Sequence, residues 1–349
     1  MTRRIILIRH AMPDIPIGER WCIGGRTDLP LGSLGRLQAA LLPFAPELDA
    51  IEAVFCSTLL RARQTALPLC SEPTVVEGLQ ELDMGVWDGL SFAEIRARFP
   101  ELYAARESDS SLLPEGAETE AALRLRMTEG LLRCLAGSCG DIAVVSHKSA
   151  IASLVGQREA LGYTSLSVLE ADAGSFRIRE VGKRVHPDLS DPVCKALLLA
   201  AGADAPRLAH CRTVAALADS LCATLAANGL VLDAAAIHKA ALLHDLARSE
   251  PDHAALGALW LHELGYEEIA DLVRQHHDPD SAELNEAGLL YLADKCVRGN
   301  RRVSLNERFF ASLGKCRTPE ALEAHRRRRE LAEHLSKTVN TLCHTELTN

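Results

Sequence analysis

Arg4-Ile5-Ile6-Leu7-Ile8-Arg9-His10-Ala11-Met12-Pro13 is the stretch that decides how the first half of the chain folds. Its apolar run is short and rich in branched side chains, the pattern of a strand buried on both faces in a parallel sheet. Arg9-His10 ends the run, and Pro13 blocks its extension as strand or helix. A cation and an imidazole therefore stand at the carboxyl end of a first strand, where open α/β sheets place their ligands.

The pattern repeats downstream. Residues 51–55 read as a second strand ending at Cys56-Ser57-Thr58, followed by a helix that carries Arg61, Arg63 and Thr65. Asp141 precedes a third buried run, Ile142-Ala143-Val144-Val145, which stops at Ser146-His147 before another helix. Residues 166–170 and 175–181 flank Ala171-Asp172-Ala173-Gly174 as a hairpin. Alternating strands and helices predict an α/β doubly wound sheet, mostly parallel, with helices on both faces. Its carboxyl edge would gather Arg9, His10, Arg61 and His147 in one pocket.

Two arginines and two imidazoles around one point suit a phosphoryl group. The guanidinium fork matches phosphate oxygens and stays charged at any working pH. A neutral imidazole can attack phosphorus in line and so split hydrolysis into two easier steps. The departing alkoxide then needs a proton. The stretch 78–89 offers Glu81, Asp83 and Asp88 for that task, and spacing alone does not choose among them.

At 349 residues, two domains are the better expectation. The net charge of −9 argues against a general nucleic-acid or membrane-surface binder. No apolar stretch approaches the roughly 20 residues needed to span a bilayer. The N-terminal apolar run is too short for a signal peptide. Eleven cysteines without CxxC spacing read as buried or inert thiols in a reducing cytoplasm.

Residues 1–182 form the first expected domain, and the polar stretch 183–192, with Pro187 and Pro192, reads as a linker. Beyond it the pattern is helical only, over 193–300 and a charged extension, 301–349. Asp233 is a natural N-cap for a helix running to about Arg248, and Gly265 a C-cap for a preceding one. His210 shares a helical stripe with Val214, Leu217 and Leu221. His244-Asp245 and Asp294 lie in apolar helical runs, where an ionisable group is costly unless satisfied. His253, His276 and His277 fall at helix ends. A divalent cation would satisfy several of these together, and imidazole with carboxylate suits Fe, Mn, Zn or Ni better than Mg or Ca. His238 and His262 read as ordinary helix residues. Arg326-Arg327-Arg328-Arg329, between Glu323 and Glu330, points around its helix and reads as a solvated face.

Residues 1 to about 180 resemble the histidine phosphatase superfamily, the phosphoglycerate-mutase-like fold. The matching pieces are Leu7-Ile8-Arg9-His10; Gly25-Arg26-Thr27-Asp28-Leu29-Pro30-Leu31 with Gly35 and Gln38-Ala39; Ser57 to Ala66; Glu81 before Gly85 and Trp87; and Val145-Ser146-His147. The resemblance implies that His10 is the phosphorylated nucleophile, gripped by Arg9, Arg61 and His147. It favours Glu81 as proton donor and leaves Asp83 and Asp88 as solvated loop acids, while Arg26 binds substrate or holds a turn. Ala11 and Lys148-Ser149-Ala150 depart from the family's usual glycines. Small phosphatases, such as those acting on α-ribazole phosphate, look nearer than mutases.

Residues 193–300 resemble the HD phosphohydrolase superfamily, through His210, Leu242-Leu243-His244-Asp245, His253, Val273-Arg274-Gln275-His276 and Leu292-Ala293-Asp294-Lys295. The likeness is nearest to the branch with HD-type diadenosine tetraphosphate hydrolases. It implies that His210, His244, Asp245, His253, His276 and Asp294 hold one or two divalent metals, joined by His277 in other branches. Together the two likenesses imply a bifunctional cytoplasmic phosphate-ester hydrolase. One site would work through phosphohistidine without metal and the other through a metal-activated water, on a nucleotide or cofactor-related phosphate. The alternative is a histidine phosphatase regulated by a non-catalytic, ligand-sensing HD module. A small-molecule phosphate ester or nucleotide is the expected partner, with no nucleic acid or membrane, and an oligomer is compatible with either reading.

Overall fold

The structure, a computed structural model, describes residues 3–109, 111–172 and 175–344. The hairpin tip at Ala173-Gly174 and the end of the C-terminal extension lie outside the described residues. The chain divides into two compact units, residues 1–187 and 188–349.

The first unit is built on six strands: β1 (Arg3–Arg9), β2 (Ala53–Cys56), β3 (Thr74–Val75), β4 (Ile142–Ser146), β5 (Leu166–Asp172) and β6 (Ser175–Lys183). Their order across the sheet is β3-β2-β4-β1-β5-β6. The first four run parallel, and β5 and β6 pair antiparallel on one side, so the sheet is mixed. Among the described residues six α-helices accompany them: α1 (Ser33–Leu41), α2 (Leu60–Ala66), α3 (Phe92–Arg98), α4 (Pro100–Ser108), α5 (Glu120–Ala136) and α6 (Lys148–Val155).

The alternation of β1 explains the layers. Ile5 and Leu7 pack with Leu123, Met127 and Leu131 of α5 and Ile151 of α6. Ile6 and Ile8 face the other way, against Ala62 and Ala66 of α2. All four are wholly buried, each worth about 1.5–3 kcal/mol of apolar burial. The two-residue strand β3 is too short to have stood out in the sequence.

The turn after β1 is fixed by close packing. The backbone N–H of Ala11 donates to Thr65 Oγ1 at 3.0 Å and that of Met12 to Gln38 Oε1 at 2.9 Å. Gly35 of α1 lies so close that a Cβ there would sit 1.9 Å from the Met12 carbonyl oxygen. The extra methyl of Ala11 is absorbed by Leu31 and Ala39.

Among its described residues the second unit holds eight helices: α7 (Asp191–Ala200), α8 (Ala205–Ala227), α9 (Ala234–Leu243), α10 (His253–Leu264), α11 (Glu267–Gln275), α12 (Glu286–Lys295), α13 (Leu305–Leu313) and α14 (Pro319–Cys343). Asp204, Asp233, Asn285, Ser304 and Thr318 cap α8, α9, α12, α13 and α14 with side-chain oxygens. The unit is not purely helical: β7 (Val297–Arg298) and β8 (Arg301–Arg302) form a small hairpin. Helix α9 also stops at Leu243 rather than near Arg248. His244 Nδ1 takes the Ala241 carbonyl at 2.8 Å, satisfying one of the acceptors that a helix end leaves open. Among the described residues, no helix is long and apolar enough to cross a membrane, and all eleven cysteines are free thiols.

Candidate active site and candidate metal centre

Strand register assembles the first site. Arg9 pairs with Ser146 across β1 and β4, so the next residues, His10 and His147, leave adjacent strand ends with ring centroids 4.9 Å apart. Strand β2 lies on the other side of β4 and delivers Ser57, whose Oγ is 2.8 Å from His147 Nε2. Arg61 enters from the first turn of α2, whose Leu60 N–H donates to Asp28 at 2.6 Å.

His10 is oriented by both of its nitrogens. Nδ1 lies 2.7 Å from the Ala11 carbonyl oxygen, which fixes the proton there and leaves the Nε2 lone pair free to act. That lone pair faces Arg61 Nε at 3.3 Å. Arg61 is wholly buried, and its Nη atoms donate to the carbonyls of Thr27 at 2.7 Å and Gly24 at 3.1 Å. Arg9 donates to the Leu161 carbonyl at 2.8 Å and lies 3.9 Å over the Tyr163 ring, while its Nε is buried without a partner. Burial, reinforced by the Arg61 and Arg9 charges, holds His10 well below the ordinary imidazole pKa. Burial and Arg61 do the same to His147. The pocket thus combines two neutral rings with the buried guanidinium of Arg61 and the half-buried one of Arg9.

Of the three candidate acids, only Glu81 is buried. Its Oε1 accepts the N–H groups of Leu82 at 2.8 Å, Ser149 at 3.1 Å and Ala150 at 3.2 Å, the last two at the start of α6. Oε2 receives only Ser149, at 3.2 Å. Arg126 of α5 holds the strip from behind, donating to the carbonyls of Gly78, Gln80 and Glu81. Asp83 and Asp88 are not solvated loop acids. Asp83 pairs with Arg26 at 2.8 Å and takes the Gly85 N–H, and Asp88 ties Gly24, Arg26 and Thr27. Arg26 is therefore held as a turn residue.

Five segments form the second cluster. His210 comes from α8, His244 and Asp245 from the turn after α9, and His253 opens α10. His276 and His277 follow α11, and Asp294 lies in α12. Two separate triads result, His210/His244/Asp294 and His253/His276/His277, with the ligand atoms of each within 4.8 Å of one another. Asp245 stands between them. Its Oδ2 is 3.7 Å from His244 Nε2 and 3.9 Å from His210 Nε2, and its Oδ1 is 3.4 Å from His253 Nε2 and 3.9 Å from His276 Nε2.

The donor set fits divalent cations. His210, His244 and His276 each direct Nδ1 to a carbonyl, of Gly299 at 2.9 Å, Ala241 at 2.8 Å and Val273 at 2.6 Å. This outer contact presents the Nε2 lone pair to the cluster. Nε2 of His244 and of His276 is buried without a hydrogen-bond partner, a costly state that a bound cation relieves. Burial would raise the pKa of Asp245, but His244, His253 and Arg248 more than offset it and keep the carboxyl ionised. By contrast His238 pairs with Asp191 and Asp219, away from these triads.

Sequence reasoning missed several members of both sites. Ser57 and Tyr163 have no charge to mark them. Lys295, named in the sequence only as part of a motif, is buried and contacts Asp294 at 2.7 Å.

Fold and geometry together define a histidine-centred phosphate pocket on an α/β scaffold, joined to a helical histidine–aspartate unit. A model of the histidine phosphatase superfamily (branch 1) matches residues 5–184, and the chain belongs to that superfamily. A model of the HD domain matches residues 207–299. A "bifunctional protein" of Mycobacterium tuberculosis is 32% identical over 183 residues, covering 51% of this chain and 50% of the relative. A glucosyl-3-phosphoglycerate phosphatase of the same organism is 30% identical over 129 residues, 36% of this chain and 57% of the relative. The chain thus spans about half the length of the curated relatives it matches. A solved mycobacterial glucosyl-3-phosphoglycerate phosphatase, in complex with VO3, is 26% identical with a TM-score of 0.45, covering 52% of this chain and 99% of that one.

Proposed function

We propose that the chain hydrolyses phosphate esters at two independent sites, a phosphohistidine site in the first unit and a metal-dependent site in the second. The observation that carries the first is the pairing of a buried, neutral His10 with Arg61 at its Nε2 and Arg9 beside it. Nε2 attacks phosphorus as the ester P–O bond breaks, and Arg9, Arg61 and His147 hold the non-bridging oxygens. Glu81 gives the leaving alkoxide its proton. Oε2 carries that proton, because Oε1 already accepts three N–H groups. Water then attacks the phosphohistidine, Glu81 takes up its proton, and the P–N bond breaks to free phosphate. Relatives named as glucosyl-3-phosphoglycerate phosphatases support a small phosphomonoester as substrate.

In the second unit, His210, His244, Asp294 and Asp245 would hold one divalent ion and His253, His276, His277 and Asp245 a second, with Asp245 shared. Ions there supply Lewis acidity toward phosphate oxygens and acidify a water. A nucleotide or cofactor-related phosphate is the substrate class.

The test pairs one substitution with a chelator. His10→Ala should lower hydrolysis of an aryl phosphate by on the order of 10⁴-fold and abolish labelling of the chain by a radioactive phosphomonoester. Chelation should leave that activity intact while removing hydrolysis of dinucleoside polyphosphates. Aryl phosphatase activity that survives His10→Ala would refute the nucleophile.

A further inference from the structure

We infer that Arg308, from a helix beyond the matched HD segment, is a phosphate-binding residue of the second site. The inference rests on the reading of that cluster as a metal centre. Ser304 caps α13 by accepting the Glu307 N–H at 3.2 Å, which sets the helix phase. Leu305 and Phe309 are buried, and Arg308 shares their inward face at i+3 from Leu305. His325 of α14 meets the Phe309 carbonyl at 3.1 Å and Ser312 Oγ at 3.0 Å, so the helix is pinned where it stands.

The Arg308 head is brought to the cluster and then left short of partners. Nη2 is 3.9 Å from Asp294 Oδ1, too far for a hydrogen bond. That oxygen also faces His210 Nε2 at 3.3 Å and His244 Nε2 at 3.7 Å. Arg308 Nε is buried and has no partner. Asp294 does not need Arg308 as counter-ion, because Lys295 Nζ already sits 2.7 Å from its other oxygen. A planar donor fork with an empty buried N–H, beside a site for divalent cations, is built to take the oxygens of a bound phosphate.

The experiment uses the full chain loaded with Mn²⁺ and inorganic phosphate as probe, read by Mn²⁺-induced broadening of the phosphorus NMR line. Only phosphate near the ion is broadened, and every variant compared keeps the same histidine pocket in the first unit, so that pocket does not enter the difference between them. Arg308→Ala should keep the Mn²⁺ stoichiometry and weaken phosphate by about tenfold or more. Arg308→Lys, which keeps charge without the fork, should fall between that variant and the wild type. Unchanged phosphate binding in Arg308→Ala overturns the inference and leaves the metal reading standing. Loss of Mn²⁺ from that variant also overturns it, making Arg308 a support of Asp294. A wild-type chain that binds no Mn²⁺ instead overturns the metal reading itself.

Discussion

The two clusters handle phosphate with opposite electrostatics. Around His10 the guanidiniums of Arg9 and Arg61 stand beside neutral imidazoles, with Glu81 as the buried acid of the site, so the pocket is arranged to receive an anion. Around Asp245 the centre consists of carboxylates and imidazole lone pairs, with Nε2 of His244 and His276 unpartnered, so it lacks a cation. Cations appear there only at the margin, as Arg248, Lys295 and Arg308. An anion hole can be complete as protein alone, because arginine carries its own charge. A lone-pair cluster needs a guest before it can attract phosphate. Metal dependence should therefore divide the molecule cleanly.

Asp245→Ala is the hardest test of that division. Outer contacts to metal ligands are worth about 10–100-fold in affinity, and a carboxylate shared by both triads should exceed that. Metal analysis after dialysis should show the variant stripped of ions that the wild type retains, with aryl phosphatase activity unchanged. A variant that keeps two ions per chain breaks the shared-ligand reading, and one that loses the aryl phosphatase breaks the independence of the sites.

Acid sharpens the contrast from the other side. In the unfolded chain His10 and His147 titrate near pH 6.5, whereas in the fold both lie well below it. Below about pH 6.5 the unfolded state binds protons that the folded state refuses, so stability falls with pH until the folded values are reached. Each such histidine costs at most about 1.4 kcal/mol per pH unit in that window. Denaturant melts of the full chain at pH 7 and pH 5.5 should show a loss smaller by about 1 kcal/mol in His147→Gln than in the wild type. Equal losses would mean that His147 is not held neutral by the fold.

The convergence of His10, Arg61 and His147 was readable because strand ends are local. A short apolar run that stops at Arg9-His10 or Ser146-His147 states its chemistry within a few residues, and parallel pairing brings such endings together. The clustering of the proposed metal ligands was readable for a related reason, since His244, Asp245 and Asp294 stand out where apolar side chains belong. What escaped depends on distant partners. The roles of Asp83 and Asp88 follow from loops more than fifty residues away. The stop of α9 at Leu243 follows from a ring turning back on its own helix. The arginine run 326–329 lies largely on the surface, but its partners were not all local. Arg326 and Arg329 pair with Glu323, Glu330 and Glu333 along the helix, and Arg328 reaches across to the exposed Asp278.

Arg328 gives the smallest of the expected effects. Its Nε donates to Asp278 Oδ1 at 2.9 Å, and its own carbonyl accepts the Tyr291 hydroxyl. Asp278 follows His276 and His277 directly, so α14 holds one end of the segment that carries two ligands. The pair is partly exposed, at 39% and 67% of the side chains, so Arg328→Ala should cost under about 1 kcal/mol of global stability. Its effect on the second triad should still be measurable, because a ligand segment that samples more conformations pays ordering entropy when an ion binds. Titration of the chelated chain should show one of two ions weakened by a few-fold in Arg328→Ala, roughly the magnitude of one surface pair, and the other unchanged. If both weaken equally, the triads act as one unit and Asp245 couples them. If neither changes, α14 is merely a cover for the helices beneath it.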